Sequence, residues 1–318
     1  MHCLVTGGAG FIGSNLVEAL LKRGDRVTVL DDLSSGRREN IAPFEGYGRF
    51  RFIEGSITNL TTCKKACRGV EAVFHQAAFV NVPESIVKPS ATAEINVRGT
   101  VNVFEAAHRV GIRAIVWASS TAVYGNTAKL PNVETMPLCP LSPYAASKAA
   151  GEMFARVFCE VYGIDIVGLR YFNVYGERQD PLSPYAAVIP RFIGALLKGE
   201  RVTIFGDGEQ TRDFVHVADV VAANLRAAEN AHFARGDVYN IGSGVGISVN
   251  RLYDIIADEL GSSLRPTYAP PRAGDVHDSV ADISRAQEAF GYQPAIAFTD
   301  GLRQTIRWFQ ERMREEKT

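Results

Sequence analysis

The stretch Cys3-Leu4-Val5-Thr6-Gly7-Gly8-Ala9-Gly10-Phe11-Ile12-Gly13 constrains this chain most. A short apolar run ends in a glycine turn, and apolar residues then recur at helical spacing from 11 to 22 until Gly24 stops them. Gly7, Gly10 and Gly13 follow a G-x-x-G-x-x-G spacing. Gly7 permits a tight turn, Gly10 lets main chain approach a pyrophosphate, and Gly13 lets the helix pack closely on the strand. The pyrophosphate then sits on free N–H groups at the positive helix end. A second strand pattern, 26–30, runs into Asp31-Asp32. A carboxylate there accepts hydrogen bonds from both adenosine ribose hydroxyls and repels a 2′-phosphate. NAD is therefore expected over NADP, with Arg37 and Arg38 the cations that would rescue NADP.

Further strand patterns lie at 50–54, 72–75, 114–118 and 164–169. A long helical pattern runs from about 90 to 110, and Ser142-Pro143 opens another helix as N-cap and first position. Such alternation predicts an α/β fold, a doubly wound parallel Rossmann sheet with right-handed crossovers. After Val174 prolines and glycines break the rhythm, as expected of a smaller mixed α/β substrate-binding domain. Residues 1–174 form the expected NAD-binding domain, with 211–262 and 299–318 packing back on it; 175–210 and 263–298 form the second.

The chain has 318 residues, 46% apolar and 22% charged, enough for such a core. Its 34 basic and 35 acidic residues leave a net charge of −1, with no global pull toward nucleic acid or an anionic membrane. No apolar run approaches the ~20 residues a bilayer crossing needs. The start of the chain carries no basic leader, so a cytoplasmic location is expected. Of Cys3, Cys63, Cys67, Cys139 and Cys159, only Cys63 and Cys67 are close, and no His completes a metal set. All five are expected to be reduced packing residues, with no metal bound.

Tyr144-Ala145-Ala146-Ser147-Lys148 sets a phenol and an amine four apart, on one face of a helix start. A nearby ammonium and the helix N-terminus favour the phenolate and are expected to lower its pKa from about 10. The fifth strand ends in Ser119-Ser120-Thr121, where a hydroxyl can hold the substrate oxygen that loses its proton.

With TGGAGFIG at 6–13, HQAA at 75–78, Asn96, SSTAVYG at 119–125, YAASK at 144–148, LRYFNVYG at 169–176, FGDGEQTRDFVHVADV at 205–220, YNIGSG at 239–244 and RAGDV at 272–276, the chain resembles nucleotide-sugar 4-epimerases of the extended short-chain dehydrogenase/reductase family. The resemblance spans nearly the whole chain. It implies Ser120, Tyr144 and Lys148 as catalytic residues. It implies NAD contacts at Gly7, Gly10, Phe11, Ile12, Gly13, Asp31, Asp32, Ser35, Gly36, Ser56, Ile57, Gln76, Ala77, Ala78, Asn96, Ser119, Tyr144, Lys148 and Tyr171. Ser56-Ile57 departs from the family's usual Asp-Ile, which implies a weaker adenine contact. A homodimer is also implied, built by the Tyr-Lys helix and the long helix before it.

For the substrate, a UDP-sugar, the resemblance implies Asn173, Arg212 and Arg272 at the diphosphate and Asp275 at the ribose. It assigns Ala187, Val188, Arg191, Phe192, Thr203 and Phe205 to the uridine pocket, and Val80, Asn81, Ser120 and Thr121 to the sugar. Ser279 stands where enzymes confined to glucose and galactose carry Tyr. Its small side chain implies room for an N-acetyl group, hence UDP-GlcNAc/UDP-GalNAc, with UDP-glucose/UDP-galactose as a second activity. Thr121-Ala122 replace the Asp-Glu pair of the 4,6-dehydratases and cannot transfer protons. A UDP-glucuronate 4-epimerase or decarboxylase would need a cation such as Arg178, and a non-catalytic NAD-binding regulator is the remaining alternative.

Overall fold

The computed structural model describes residues 1–112, 114–127, 129–180, 187–271 and 276–315. Seven parallel strands make the main sheet. The strands of the whole chain begin, in order, with His2–Thr6 (β1), Arg26–Asp31 (β2), Phe50–Glu54 (β3), Ala72–His75 (β4), Ala114–Ser120 (β5) and Asp165–Tyr171 (β6). Then come Asn173–Tyr175 (β7), Thr203–Phe205 (β8), Thr211–His216 (β9) and Val238–Ile241 (β10). The sheet order is β10-β6-β5-β4-β1-β2-β3. Strand order reverses between β1 and β4, and a ligand crevice opens at the carboxyl ends of the strands at such a point. The seventh strand, β10, has only four residues at the sheet edge, too short for its alternation to stand out in sequence.

Alternating side chains divide the core into two faces. Cys3, Val5 and Val116 join Leu16 and Leu20 of the first helix, Phe11–Arg23 (α1), on one side. Leu4, Ile115 and Trp117 join Phe104 and Phe158 on the other. Each such burial contributes about 1.5–3 kcal/mol. Helix Pro143–Tyr162 (α6) starts as expected: the Ser142 hydroxyl accepts from the Ala145 N–H, and Pro143 follows. It lies close to β5 because Gly151 has no side chain; a Cβ there would come within 2.4 Å of the Trp117 ring. The long helical pattern before it starts at Pro89 and contains a wider π turn, Glu94–Arg98, which carries Asn96.

A third core joins helices Val188–Leu197 (α7), Val249–Leu260 (α8) and Phe298–Glu315 (α9) through Phe192, Ile193, Leu252, Ile256, Leu302 and Ile306. The last two helices were expected on the main body. Their apolar stripes bury against α7 and against Phe214 of β9, while Val217–Glu229 packs on α1. Of the cysteines, Cys139 departs from the packing expectation: it is exposed in a proline-flanked loop.

Candidate active site

The glycine turn builds the cofactor end. Gly7 has φ +68°, and a Cβ on it would lie 2.7 Å from the Ala77 nitrogen. A Cβ on Gly13 would lie 2.0 Å from the Gly7 carbonyl oxygen. No side chain caps Gly10, so the first-turn N–H groups of α1, including Phe11 and Ile12, are not spent on a side-chain cap. Asp31 is 7% exposed and accepts the Ala9 and Leu33 N–H groups, each at 2.9 Å. Burial pushes its pKa up, and these hydrogen bonds pull it down. A Cβ on Gly36 would come 2.9 Å from both the Asp31 carboxylate and the Ala9 Cβ, so glycine is what lets this loop close on Asp31. Asp32 accepts from Ser34, and Ser35 is exposed.

Arg37 pairs with Asp180 at 2.8 Å and Arg38 with Glu45 at 2.9 Å, so carboxylates already hold both arginines. Ser56 accepts from Thr58. Ile57 is 4% exposed and packs in the second core, and its carbonyl accepts from Asn102.

At the end of β4, Gln76, Tyr171 and Asn224 share hydrogen bonds of 2.8–3.2 Å. Ala77 donates its N–H to Thr6, and Ala78 follows. Asn96 is buried and closes on Phe79: it accepts the Phe79 N–H at 2.7 Å and donates to the Phe79 carbonyl at 2.9 Å. Its amide therefore serves to fix this loop. Ser119 likewise departs from the expected cofactor contact, since its hydroxyl turns inward and donates to Glu152 at 2.6 Å.

Tyr144 and Ser120 are in hydrogen-bond contact, and the Lys148 ammonium lies 5.9 Å from the Tyr144 ring centre. Lys148 donates to the Ala118 carbonyl at 2.8 Å. The expected lowering of the phenol pKa is not what the structure gives. Burial pushes Tyr144 up, with Ser120 opposing. Burial also brings Lys148 down to about 7, with Glu152 opposing. Burial thus works against the charged form of both groups in the protein alone.

A cavity of about 360 Å³ is lined, among others, by Asn173, Ala187, Val188, Arg191, Phe205 and Arg212, all expected at the nucleotide. Tyr175, Gln179, Gln210 and Phe214 also line it and escaped the sequence reading. Gln210 donates to the Phe205 carbonyl, while its own oxygen is buried without a hydrogen-bond partner. Two expected residues lie elsewhere. Phe192 is wholly buried in the third core, and Thr203 is exposed and bonded to Thr267, because neighbours in a helix or strand face different sides. Arg272 and Asp275 lie outside the described residues.

Near the reacting groups, the Ser279 hydroxyl lies 3.4 Å from that of Thr121, the residue after Ser120. Asn81, expected at the sugar, caps a short helix and binds Glu84 with both ends of its amide, and Val80 is 62% exposed.

Residues 3–242 match the NAD dependent epimerase/dehydratase family. The chain belongs to this family. It is 43% identical to the UDP-glucose 4-epimerase of Mycolicibacterium smegmatis, over 98% of this chain and 99% of that one. Among solved structures it is similar to the UDP-N-acetylglucosamine 4-epimerase of Methanobrevibacter ruminantium in complex with UDP-N-acetylmuramic acid. The TM-score is 0.93 at 40% identity, covering 98% of this chain and 99% of that one. It also resembles the Thermus thermophilus UDP-glucose 4-epimerase complexed with NAD, with a TM-score of 0.87 at 38% identity, covering 98% and 99%.

The family's cofactor is NAD, and the residues present fit it: a glycine cradle that any Cβ would fill, an uncapped helix start and a carboxylate at the end of β2. Asp31→Ala should weaken NAD binding about 10- to 100-fold, since a hydrogen bond to a charged group contributes roughly 1.5–3 kcal/mol, and should narrow the gap to NADP. Titration of both cofactors on wild type and variant checks this; equal affinities in wild type would contradict it. Among the described residues no group of three or more His, Cys, Asp or Glu could hold a metal, and no helix is long and apolar enough to cross a membrane.

Proposed function

We propose that this protein inverts C4 of a UDP-sugar, interconverting UDP-GlcNAc with UDP-GalNAc and also UDP-glucose with UDP-galactose. The Ser279–Thr121 contact carries the choice of sugar, because a small side chain next to the Ser120–Tyr144 pair leaves volume for an acetamido group. A solved relative that holds an N-acetylated sugar nucleotide supports the same reading.

Tyr144 takes the proton of the 4-hydroxyl onto its phenolate oxygen, and Ser120 holds the 4-oxygen as it becomes a carbonyl. NAD, when bound, supplies a reversible hydride acceptor for C4. Lys148 supports the Tyr144 phenolate by its charge. The sugar must then present its other face, so binding has to be concentrated on the UDP end. The cavity fits that need: Arg212 and Asn173 suit the diphosphate, and Ala187, Val188, Arg191 and Phe205 suit uridine. Tyr144 then returns the proton to the 4-oxygen.

Thr121 and Ala122 offer no acid or base for dehydration. Arg178, the cation considered for a glucuronate, pairs through one nitrogen with Glu18 of α1. A homodimer is part of this reading: α6 exposes Met153, Val157 and Val161, one turn apart, on a face separate from its buried Tyr144 and Lys148. A cytoplasmic location suits its five free thiols.

Incubation with UDP-glucose, UDP-GlcNAc and UDP-glucuronate separately, followed by NMR, tests the proposal. Mixtures of both C4 epimers are expected from the first two and none from the third. Turnover of UDP-glucuronate alone would overturn the assignment.

A further inference from the structure

Helix α6 carries Tyr144, Lys148 and Glu152 at four-residue intervals, on one stripe. This stripe meets three consecutive residues at the end of β5. Tyr144 touches Ser120, Lys148 donates to the Ala118 carbonyl, and Glu152 accepts from the Ser119 hydroxyl. Glu152 is buried, as is Arg170 of β6, which stands opposite Ser119 in the sheet. Arg170 grips both carboxylate oxygens, at 2.8 and 2.7 Å. Its remaining nitrogen donates to the Tyr124 hydroxyl, which donates to Asn240 of β10.

We propose that Glu152 is a positioning residue for proton transfer: it fixes the strand end that carries Ser120 and supplies the counter-charge that keeps Lys148 an ammonium. The inference rests on the reading of Ser120, Tyr144 and Lys148 as the reacting set. Geometry makes one residue do both. A carboxylate one helical turn beyond Lys148 is close enough to stabilise its charge, and its bond to Ser119 leaves the next residue little freedom to rotate. Arg170 holds the carboxylate aimed through two hydrogen bonds. Among the described residues, the titratable groups around Lys148 are Tyr144 and Glu152 on α6 and His75 at the end of β4, with Arg170 on β6 acting through Glu152. His75 is buried between Thr6 and Thr100, and burial takes its pKa down to about 3, so it stays neutral across the working range. It cannot replace Glu152.

The sign is definite. Glu152 raises the pKa of Lys148 against the effect of burial. Removing its charge makes Lys148 lose its proton at lower pH, so the break in the rate profile that belongs to Lys148, at about 7 in wild type, moves down.

The test uses Glu152→Gln and Ser119→Ala in the full chain with NAD bound. Rates are followed with UDP-glucose and UDP-GlcNAc across pH, and the Lys148 Nζ titration is read by ¹⁵N NMR, which needs no substrate. In Glu152→Gln the Lys148 break and the Nζ titration should both move down by about one on the pH scale, the usual effect of a close charge. Ser119→Ala keeps every charge, so kcat should fall about tenfold, within the range for a misplaced catalytic group, while KM and the Lys148 break stay put. An unmoved Nζ titration in Glu152→Gln overturns the counter-charge. Wild-type kcat in Ser119→Ala overturns the positioning, whether or not Glu152→Gln folds. If wild type turns over neither sugar, the functional reading fails, while the NMR titration still decides what Glu152 does to Lys148.

Discussion

Tyr144→Phe should lower turnover at least ~100-fold, the range for loss of a positioned acid–base group, while leaving NAD content and melting temperature nearly unchanged. The ring stays buried at the start of α6, so packing is conserved, and only the hydroxyl in contact with Ser120 is lost. The expected pH dependence follows from the same surroundings. Burial raises the phenol pKa, so the active phenolate is scarce at low pH and activity should rise with pH. Lys148, brought down to about 7, loses its proton below the range in which the phenol ionises, so its support for the phenolate is already fading there. A bell-shaped profile is therefore expected in wild type. Steady-state rates from pH 6 to 10, with cofactor content measured on each sample, check both statements. Near-normal turnover in Tyr144→Phe would remove this residue from proton transfer.

Ser279→Tyr has the second large effect, and it separates two sugars. Ser279 is 7% exposed, its hydroxyl 3.4 Å from that of Thr121, and its main chain is held by Thr211 and Asp213. The added phenol can only extend into the space beside Thr121. Overpacking a filled site costs roughly 1–3 kcal/mol, about 5- to 150-fold in a rate or binding constant. UDP-GlcNAc fills that space with its acetamido group and should lose activity by this factor. UDP-glucose carries only a hydroxyl there and should keep most of its activity. Both substrates, measured on one preparation with its melting temperature, decide the matter. Parallel loss on both sugars with a lower melting temperature would mean that Ser279 is a packing residue. No loss on either would remove the main support for N-acetylated substrates.

The local chemistry was legible in the sequence where it depends on neighbours along the chain. The glycine turn, the Ser142-Pro143 helix start, the strand ending in Asp31 and the Tyr144–Lys148 spacing are each set by backbone sterics or helical period, and these act over a few residues. What each side chain spends its hydrogen bonds on was not legible, because the partners are far away in the sequence. Ser119 meets Glu152 and then Arg170 only when α6 lies on β5 and β6. Asn96 closes on Phe79, and Asn81 turns to its own helix instead of the sugar. The direction of the Tyr144 shift was misread for the same reason: an ammonium at four-residue spacing is visible in a sequence, whereas the loss of water around both groups exists only in the folded core. Sequence alone thus determined which reactive groups the chain carries and the elements that hold them. Tertiary structure decided their charge, their partners and which helices close the nucleotide cavity, since desolvation and long-range contacts arise only when distant segments pack.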